Sequence, residues 1–206
     1  MTDLRKAREA MVLTQIEARG VRDPRVLAAL RDVPRHRFAP VGCQREAHED
    51  HPLPIGSGQT LSQPYIVAFM AEALDLSGTE RVLEVGSGSG YFAAVLARLA
   101  RKVVALELEP ELAARSAEVL ADLGISTVEV HAADGAQGWP EEAPYDAIVL
   151  SCAAEAVPEA LWPQLAPGGT LLAPLGAPWE TQWLTRFRPG SNRPARLLPV
   201  VFVPLR

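Results

Sequence analysis

Cysteine is scarce in this chain. Cys43 and Cys152 are its two cysteines in 206 residues, far apart and with no CxxC pair. That excludes a disulfide framework and a cysteine-built metal site, and it suits a reducing compartment. Cys152 follows a predicted strand with no histidine near it, so it reads as a small buried hydrophobe rather than a nucleophile. Long apolar runs are also missing, so no segment is expected to span a membrane. The first residues, Met1-Thr2-Asp3-Leu4-Arg5-Lys6, lack the apolar core of a secretory signal. A cytoplasmic protein is expected. There is no basic block, and the net charge is −5, which argues against a partner built of phosphates. His48 and His51 flank Glu49-Asp50 but stand three apart with no third ligand in sight, so a solvated acidic loop and no metal are expected. The four tryptophans are scattered and read as packing residues.

What is present is globular: 48% hydrophobic and 22% charged residues. Residues 3–19 have helical spacing (Leu4, Ala7, Met11, Ile16) closed by Gly20. Asp23-Pro24 opens a short helix with Val26, Leu27 and Leu30 on its apolar side. From Pro34 to Gln63 the periodicity fades into a proline- and glycine-rich loop, whose length points to function. Helical spacing resumes over 64–76. Strands are then predicted over 81–85, 103–107, 127–132, 145–150 and 170–175, with helices over 91–100, 110–123 and 157–165. The strands are nearly all apolar, as in a parallel sheet buried on both faces. Two further strands, 179–188 and 195–203, are expected to include an antiparallel one. The reading is one α/β domain: a doubly wound, Rossmann-like, mostly parallel seven-stranded sheet with an N-terminal helical cap. Its parts would be helices and a substrate loop (1–78), a cofactor-binding core (79–176) and C-terminal strands (177–206).

Val85-Gly86-Ser87-Gly88-Ser89-Gly90 lies between the first core strand and a helix, where glycines let the backbone approach a ligand. Alone, such a loop is more often just a tight turn. Tyr91 stands where a dinucleotide fingerprint wants its third glycine, which disfavours a pyrophosphate ligand. Glu107 ends the next strand, 17 residues after Gly90, and can accept hydrogen bonds from a ribose diol. Leu108 follows it. Asp134-Gly135 ends the strand after that, where a carboxylate can meet an adenine amino group, although an ordinary Asp-Gly turn reads the same. All three loops would fall on the carboxyl edge of the sheet. Together they describe adenosine without a pyrophosphate, as in S-adenosyl-L-methionine.

Pro52-Leu53-Pro54-Ile55-Gly56-Ser57-Gly58-Gln59-Thr60-Leu61-Ser62-Gln63-Pro64 resembles the signature of the protein-L-isoaspartate O-methyltransferases. The resemblance extends to Val33–Phe38, Leu83–Tyr91, Gln137-Gly138-Trp139 and Phe202–Leu205. It implies methyl transfer from S-adenosyl-L-methionine to the free carboxylate of L-isoaspartyl residues in damaged proteins. S-adenosyl-L-homocysteine is the product, and the ester then closes to a succinimide. Carried over, Ser62 and Glu84 are the catalytic pair. Glu84, Gly86, Ser87, Gly88, Tyr91, Glu107, Leu108, Asp134 and Gly135 hold the cofactor. Ile55, Gly56, Thr60, Leu61, Ser62 and Val203 line the peptide site. Leu61, Ala133 and Ala136 depart from the family pattern. Judged alone, Ser62 would cap the helix that follows, and Glu84 would be a charge at a strand end. The expected partners are isoaspartyl peptides and proteins, with no nucleic acid and no membrane, and the protein is expected to be a monomer. Other readings are a methyltransferase for a small molecule or RNA, a cofactor-binding module without catalysis, and, last, a nicotinamide dehydrogenase.

Overall fold

The computed structural model describes residues 2–188 and 193–206. Helix α1 (Thr2–Met11) runs on through a π turn (Val12–Ile16) and a 3-10 turn (Glu17–Arg19). Gly20, in the left-handed region, ends it by donating to the Glu17 carbonyl at 3.1 Å. Where one regular helix was expected over 3–19, the winding changes so that Met11, Val12 and Ile16 all reach the core. Helix α2 (Pro24–Asp32) begins as expected: the Asp23 side chain accepts from the Arg25 amide at 2.8 Å, and Pro24 sits at the first position.

The segment read as a featureless loop is more ordered than its composition suggested. It contains 3-10 turns at Arg35–Arg37 and Glu46–His48 and a two-stranded hairpin, β1 (Leu53–Gly56) and β2 (Gln59–Leu61). Helix α3 (Pro64–Leu74) follows and packs on α2. Beyond it come β3 (Arg81–Val85), α4 (Tyr91–Leu96), β4 (Lys102–Glu107), α5 (Pro110–Asp122), β5 (Val128–Ala132), β6 (Tyr145–Leu150), β7 (Leu165–Leu175), β8 (Gln182–Phe187) and β9 (Ala195–Val200). The sheet order is β5-β4-β3-β6-β7-β8-β9. Strands β3 to β7 are parallel, and β8 is antiparallel to both β7 and β9. This is the Rossmann-like, mostly parallel seven-stranded sheet expected.

Alternation along each strand feeds two cores. Val82, Val103, Ala105, Ala147 and Val149 pack with the N-terminal helices, α4 and α5. Leu83, Val85, Val104, Leu106, Ile148 and Leu150 pack with Val157 and Leu161 on the opposite face. That second face is where the helix expected over 157–165 would lie. Only a 3-10 stretch, Glu159–Gln164, forms there. Pro163 lacks the N–H an α-helix would use, and its ring crowds the preceding turn.

The two edges of the sheet differ. At the amino edge several charged groups pair with one another. Lys102 Nζ bonds Glu129 at 2.8 Å and Glu142 at 2.6 Å, and the Arg81 amide donates to Asp146 at 2.8 Å. Glu80 accepts from the amides of Ser77, Gly78 and Thr79. At the carboxyl edge the chain leaves β3 with β4 on one side and β6 on the other. This change of winding direction opens a crevice.

Candidate active site

The glycine loop after β3 is pinned to its neighbours. The amides of Gly86 and Ser87 both donate to the Leu106 carbonyl, at 2.8 and 2.9 Å, and Ser151 after β6 donates its amide to Val85 at 2.8 Å. Gly88 has φ +55°, and a Cβ there would meet Ile55 Cδ1 at 3.3 Å, so the β1–β2 hairpin sits directly on the loop. Gly135 approaches so closely that a Cβ would stand 2.5 Å from Val85 Cγ1. Only glycine fits under that strand end.

Glu107 is 5% exposed. Its two oxygens accept from the amides of Gly88 at 2.7 Å and Glu109 at 3.0 Å. A carboxylate has about four lone-pair sites, so acceptor capacity is left for a diol. Leu108 lies exposed beside it, and Gly86, Gly88, Glu107, Leu108, Gly135 and Cys152 line one small cavity of about 40 Å³. Residues Val203 to Arg206 form its outer wall, and Arg206 pairs with Glu109 at 2.5 Å. Asp134 is exposed, and its Oδ1 accepts from the Ala136 amide at 2.9 Å, as the turn reading required. Cys152 is buried, and burial raises its thiol to about 12, the inert hydrophobe expected.

A second small cavity, about 30 Å³, lies on the other side of the loop. Ser62, Glu84, Ser87, Ser151 and Phe202 contribute to it. Glu84 is not a strand-end charge. It is fully buried between Ala105 on β4 and Val149 on β6. Burial, against an opposing hydrogen bond from Ser151 Oγ at 2.8 Å and aided by the nearby Glu107 charge, lifts its pKa to about 7. Its second oxygen and the Ser87 hydroxyl have no partner among the described residues. Val82, Leu83 and Val85 around it each contribute about 1.5–3 kcal/mol by burial, which offsets the cost of burying one carboxyl group. Tyr91 borders this cavity, but its ring turns into the core, edge-on to Phe38 at 5.6 Å.

An outer cleft of about 560 Å³ lies between the hairpin and the C-terminal segment. Pro52, Thr60, Ser62, Trp179, Val201 and Val203 are among its walls. Strand alternation turns Thr60 out into this cleft and Leu61 inward, where it is 3% exposed. Ile55 is likewise buried under the glycine loop, and Gly56 forms the hairpin turn, so neither lines the cleft. Trp179, expected to pack, stands 71% exposed at the cleft. Phe202 lies in the C-terminal stretch that carries the resemblance but was given no role, and nothing local in the sequence marks Ser151. Ser62 does not cap α3. Gln63 holds that position without a side-chain bond, its amide group instead donating to Asp50 at 2.9 Å. Among the described residues the Ser62 hydroxyl has no hydrogen-bond partner, and the residue lines both the outer cleft and the Glu84 cavity.

The histidine pair diverges. His48 is buried rather than solvated, with its pKa lowered to about 4 by burial, while His51 is exposed and bonds Glu49 at 3.1 Å. Glu129, His131 and Glu142 bring potential ligand atoms within 4.8 Å of one another. The cation there is the chain's own Lys102.

The model of the family described as protein-L-isoaspartate(D-aspartate) O-methyltransferase matches residues 6–206. The chain is 56% identical over 201 residues to protein-L-isoaspartate O-methyltransferase 2 of Anaeromyxobacter sp. (strain Fw109-5), covering 97% of this chain and 83% of the relative. It is 53% identical over 203 residues to the protein-L-isoaspartate O-methyltransferase of Methanoculleus marisnigri, covering 98% and 92%. Its fold resembles that of a Plasmodium falciparum chain assigned to the same activity and solved with S-adenosyl-L-homocysteine. The TM-score is 0.83 at 25% identity, with 97% and 98% of the two chains covered. With its glycine loop, buried acid and signature hairpin gathered at one edge of the sheet, this chain belongs to the protein-L-isoaspartate(D-aspartate) O-methyltransferase family.

Proposed function

We propose that this enzyme transfers a methyl group from S-adenosyl-L-methionine to the free carboxylate of L-isoaspartyl residues, with Ser62 aiming that carboxylate. One observation carries the site reading: Ser62, whose hydroxyl has no hydrogen-bond partner among the described residues, lines both the outer cleft and the cavity of Glu84 and the glycine loop. When bound, the cofactor supplies a methyl group on a sulfonium, whose thioether leaves with the electron pair of the broken carbon–sulfur bond. The residues fit such a cation: the Glu84 carboxyl keeps one orphaned oxygen in the cavity, and Glu107 retains acceptor capacity under the loop. Gly86, Ser87, Gly88, Tyr91, Leu108, Asp134 and Gly135 would complete that pocket, by backbone contact or by shape. The substrate carboxylate is already ionised at neutral pH, so no general base is needed. What remains for the protein is alignment of oxygen, methyl carbon and sulfur, and exclusion of water. Ser62 would donate a hydrogen bond to the carboxylate. No histidine is placed to make it a nucleophile. Thr60 and Val203 would flank the peptide, with Ile55, Gly56 and Leu61 shaping the hairpin behind them.

The test is labelled-methyl transfer to an isoaspartyl peptide beside its normal aspartyl twin. Label should enter the first alone. Equal labelling of both, or of neither, would overturn the substrate assignment.

A pH dependence follows from Glu84. Facing a cationic ligand it must be ionised, and free it ionises only around pH 7. Affinity for S-adenosyl-L-methionine should therefore climb by up to about tenfold per pH unit from about pH 5.5 and level off above about pH 7.5. For stability the sign is opposite. The raised pKa stabilises the fold below about 4.5, and that contribution is lost as pH rises to about 7. Calorimetric titrations with Glu84→Gln should be flat over the same range, and a retained slope would clear Glu84 of the role.

A further inference from the structure

Arg35 is the largest side chain with no solvent exposure among the described residues. Its Nε donates to the Ala47 carbonyl at 2.6 Å and its Nη2 to the Ser62 carbonyl at 2.7 Å. The guanidinium carbon stands 4.8 Å from the centroid of the Tyr91 ring. Burial lowers its pKa to about 10, so it stays charged at neutral pH. Yet among the described residues no carboxylate pairs with it. Burying a cation without a counter-ion is costly, and two backbone carbonyls could have been satisfied by neutral donors.

The three groups it touches explain where that cost is placed. Ala47 belongs to the N-terminal segment, Ser62 to the turn between β2 and α3, and Tyr91 is the first residue of α4, behind the glycine loop. Fixing the Ser62 carbonyl restrains that residue's backbone, and with it the direction of the Cα–Cβ bond. A planar fork can span two carbonyls and stack on a ring at once, which a lysine cannot. We propose that Arg35 is a positioning residue for methyl transfer: it locks Ser62 and the start of α4 into one frame, so that the Ser62 hydroxyl points where the carboxylate must be held. This rests on the role given to Ser62 above.

The test is a double-mutant cycle between Arg35→Lys and Ser62→Ala, read below the melting temperature and normalised to sites that bind S-adenosyl-L-homocysteine. Arg35→Lys alone should lower kcat about tenfold, with the cofactor product binding within about twofold and peptide KM little changed. In the Ser62→Ala background the same change should cost almost nothing more. Arg35→Gln, neutral and able to reach one carbonyl, gives the same comparison if the lysine variant does not fold. A merely structural arginine would lower the melting temperature and the number of binding sites but leave kcat per site intact, and that result would overturn the proposal. So would equal losses in both backgrounds, which would leave Ser62 in its role. Normal turnover in Ser62→Ala itself would remove the Ser62 reading and this one with it.

Discussion

Ser62→Ala is expected to slow methyl transfer on the order of a hundredfold at saturating substrates, because misdirected attack geometry costs about that much. Its melting curve should barely move. The hydroxyl caps nothing, since Gln63 occupies the cap position of α3, so the roughly 1 kcal/mol usually lost with a serine cap should be missing. Affinity for S-adenosyl-L-homocysteine should hold, because the substitution leaves the glycine loop and Glu107 untouched. Ser62→Thr keeps the hydroxyl but adds a methyl group where the two chambers meet, and should recover little. Mass spectrometry of enzyme mixed with cofactor and no peptide should find no methylated Ser62. A stoichiometric mass gain there would replace direct transfer by a two-step route. Normal kcat in the alanine variant would leave the residue without a catalytic role.

Glu107→Gln should act on binding instead. The native carboxylate accepts two amide hydrogen bonds, one of which shapes the glycine loop at Gly88. A glutamine keeps one acceptor and turns an NH2 group toward the other amide, donor against donor. Hydrogen bonds to a charged group are worth about 1.5–3 kcal/mol, so cofactor affinity should fall by about tenfold or more. Turnover at saturating cofactor should change far less than in Ser62→Ala. Titration calorimetry decides it: an unchanged Kd would mean that Glu107 is a loop brace alone.

Much of the fold is legible in the sequence. Buried parallel strands announce themselves as short, almost wholly apolar runs, so β3, β4 and β6 fell within a residue of their expected positions. The glycine loop and Glu107 were marked by spacing. What stayed hidden was whatever depends on burial of polar groups. Glu84 looks like a charge at the end of a strand because the sequence predicts the strands but not the order that sets β4 and β6 on either side of it. Arg35 drew no reading of its own beyond the Val33–Phe38 resemblance, and only the folded chain wraps Ala47, Ser62 and Tyr91 around it. His48 misled in the same way. The helix expected over 157–165 failed for a local reason. Val157, Leu161 and Leu165 keep helical spacing, but Pro163 between them cannot join the hydrogen-bond ladder. The β1–β2 hairpin was too short, and too rich in proline and glycine, to register as strands.

The contrast between the two edges of the sheet has a practical side. At the carboxyl edge, left-handed glycines and the orphaned oxygen of Glu84 are departures from the most stable arrangement that the binding pocket needs. Stabilising substitutions made there would trade against activity. The amino edge holds its network of Lys102, Glu129, Glu142, Arg81, Asp146 and Glu80 a full strand length away from the site. That edge, rather than the pocket, is where an engineer could add ion pairs or tighten turns to obtain a hardier catalyst that works as fast as the original.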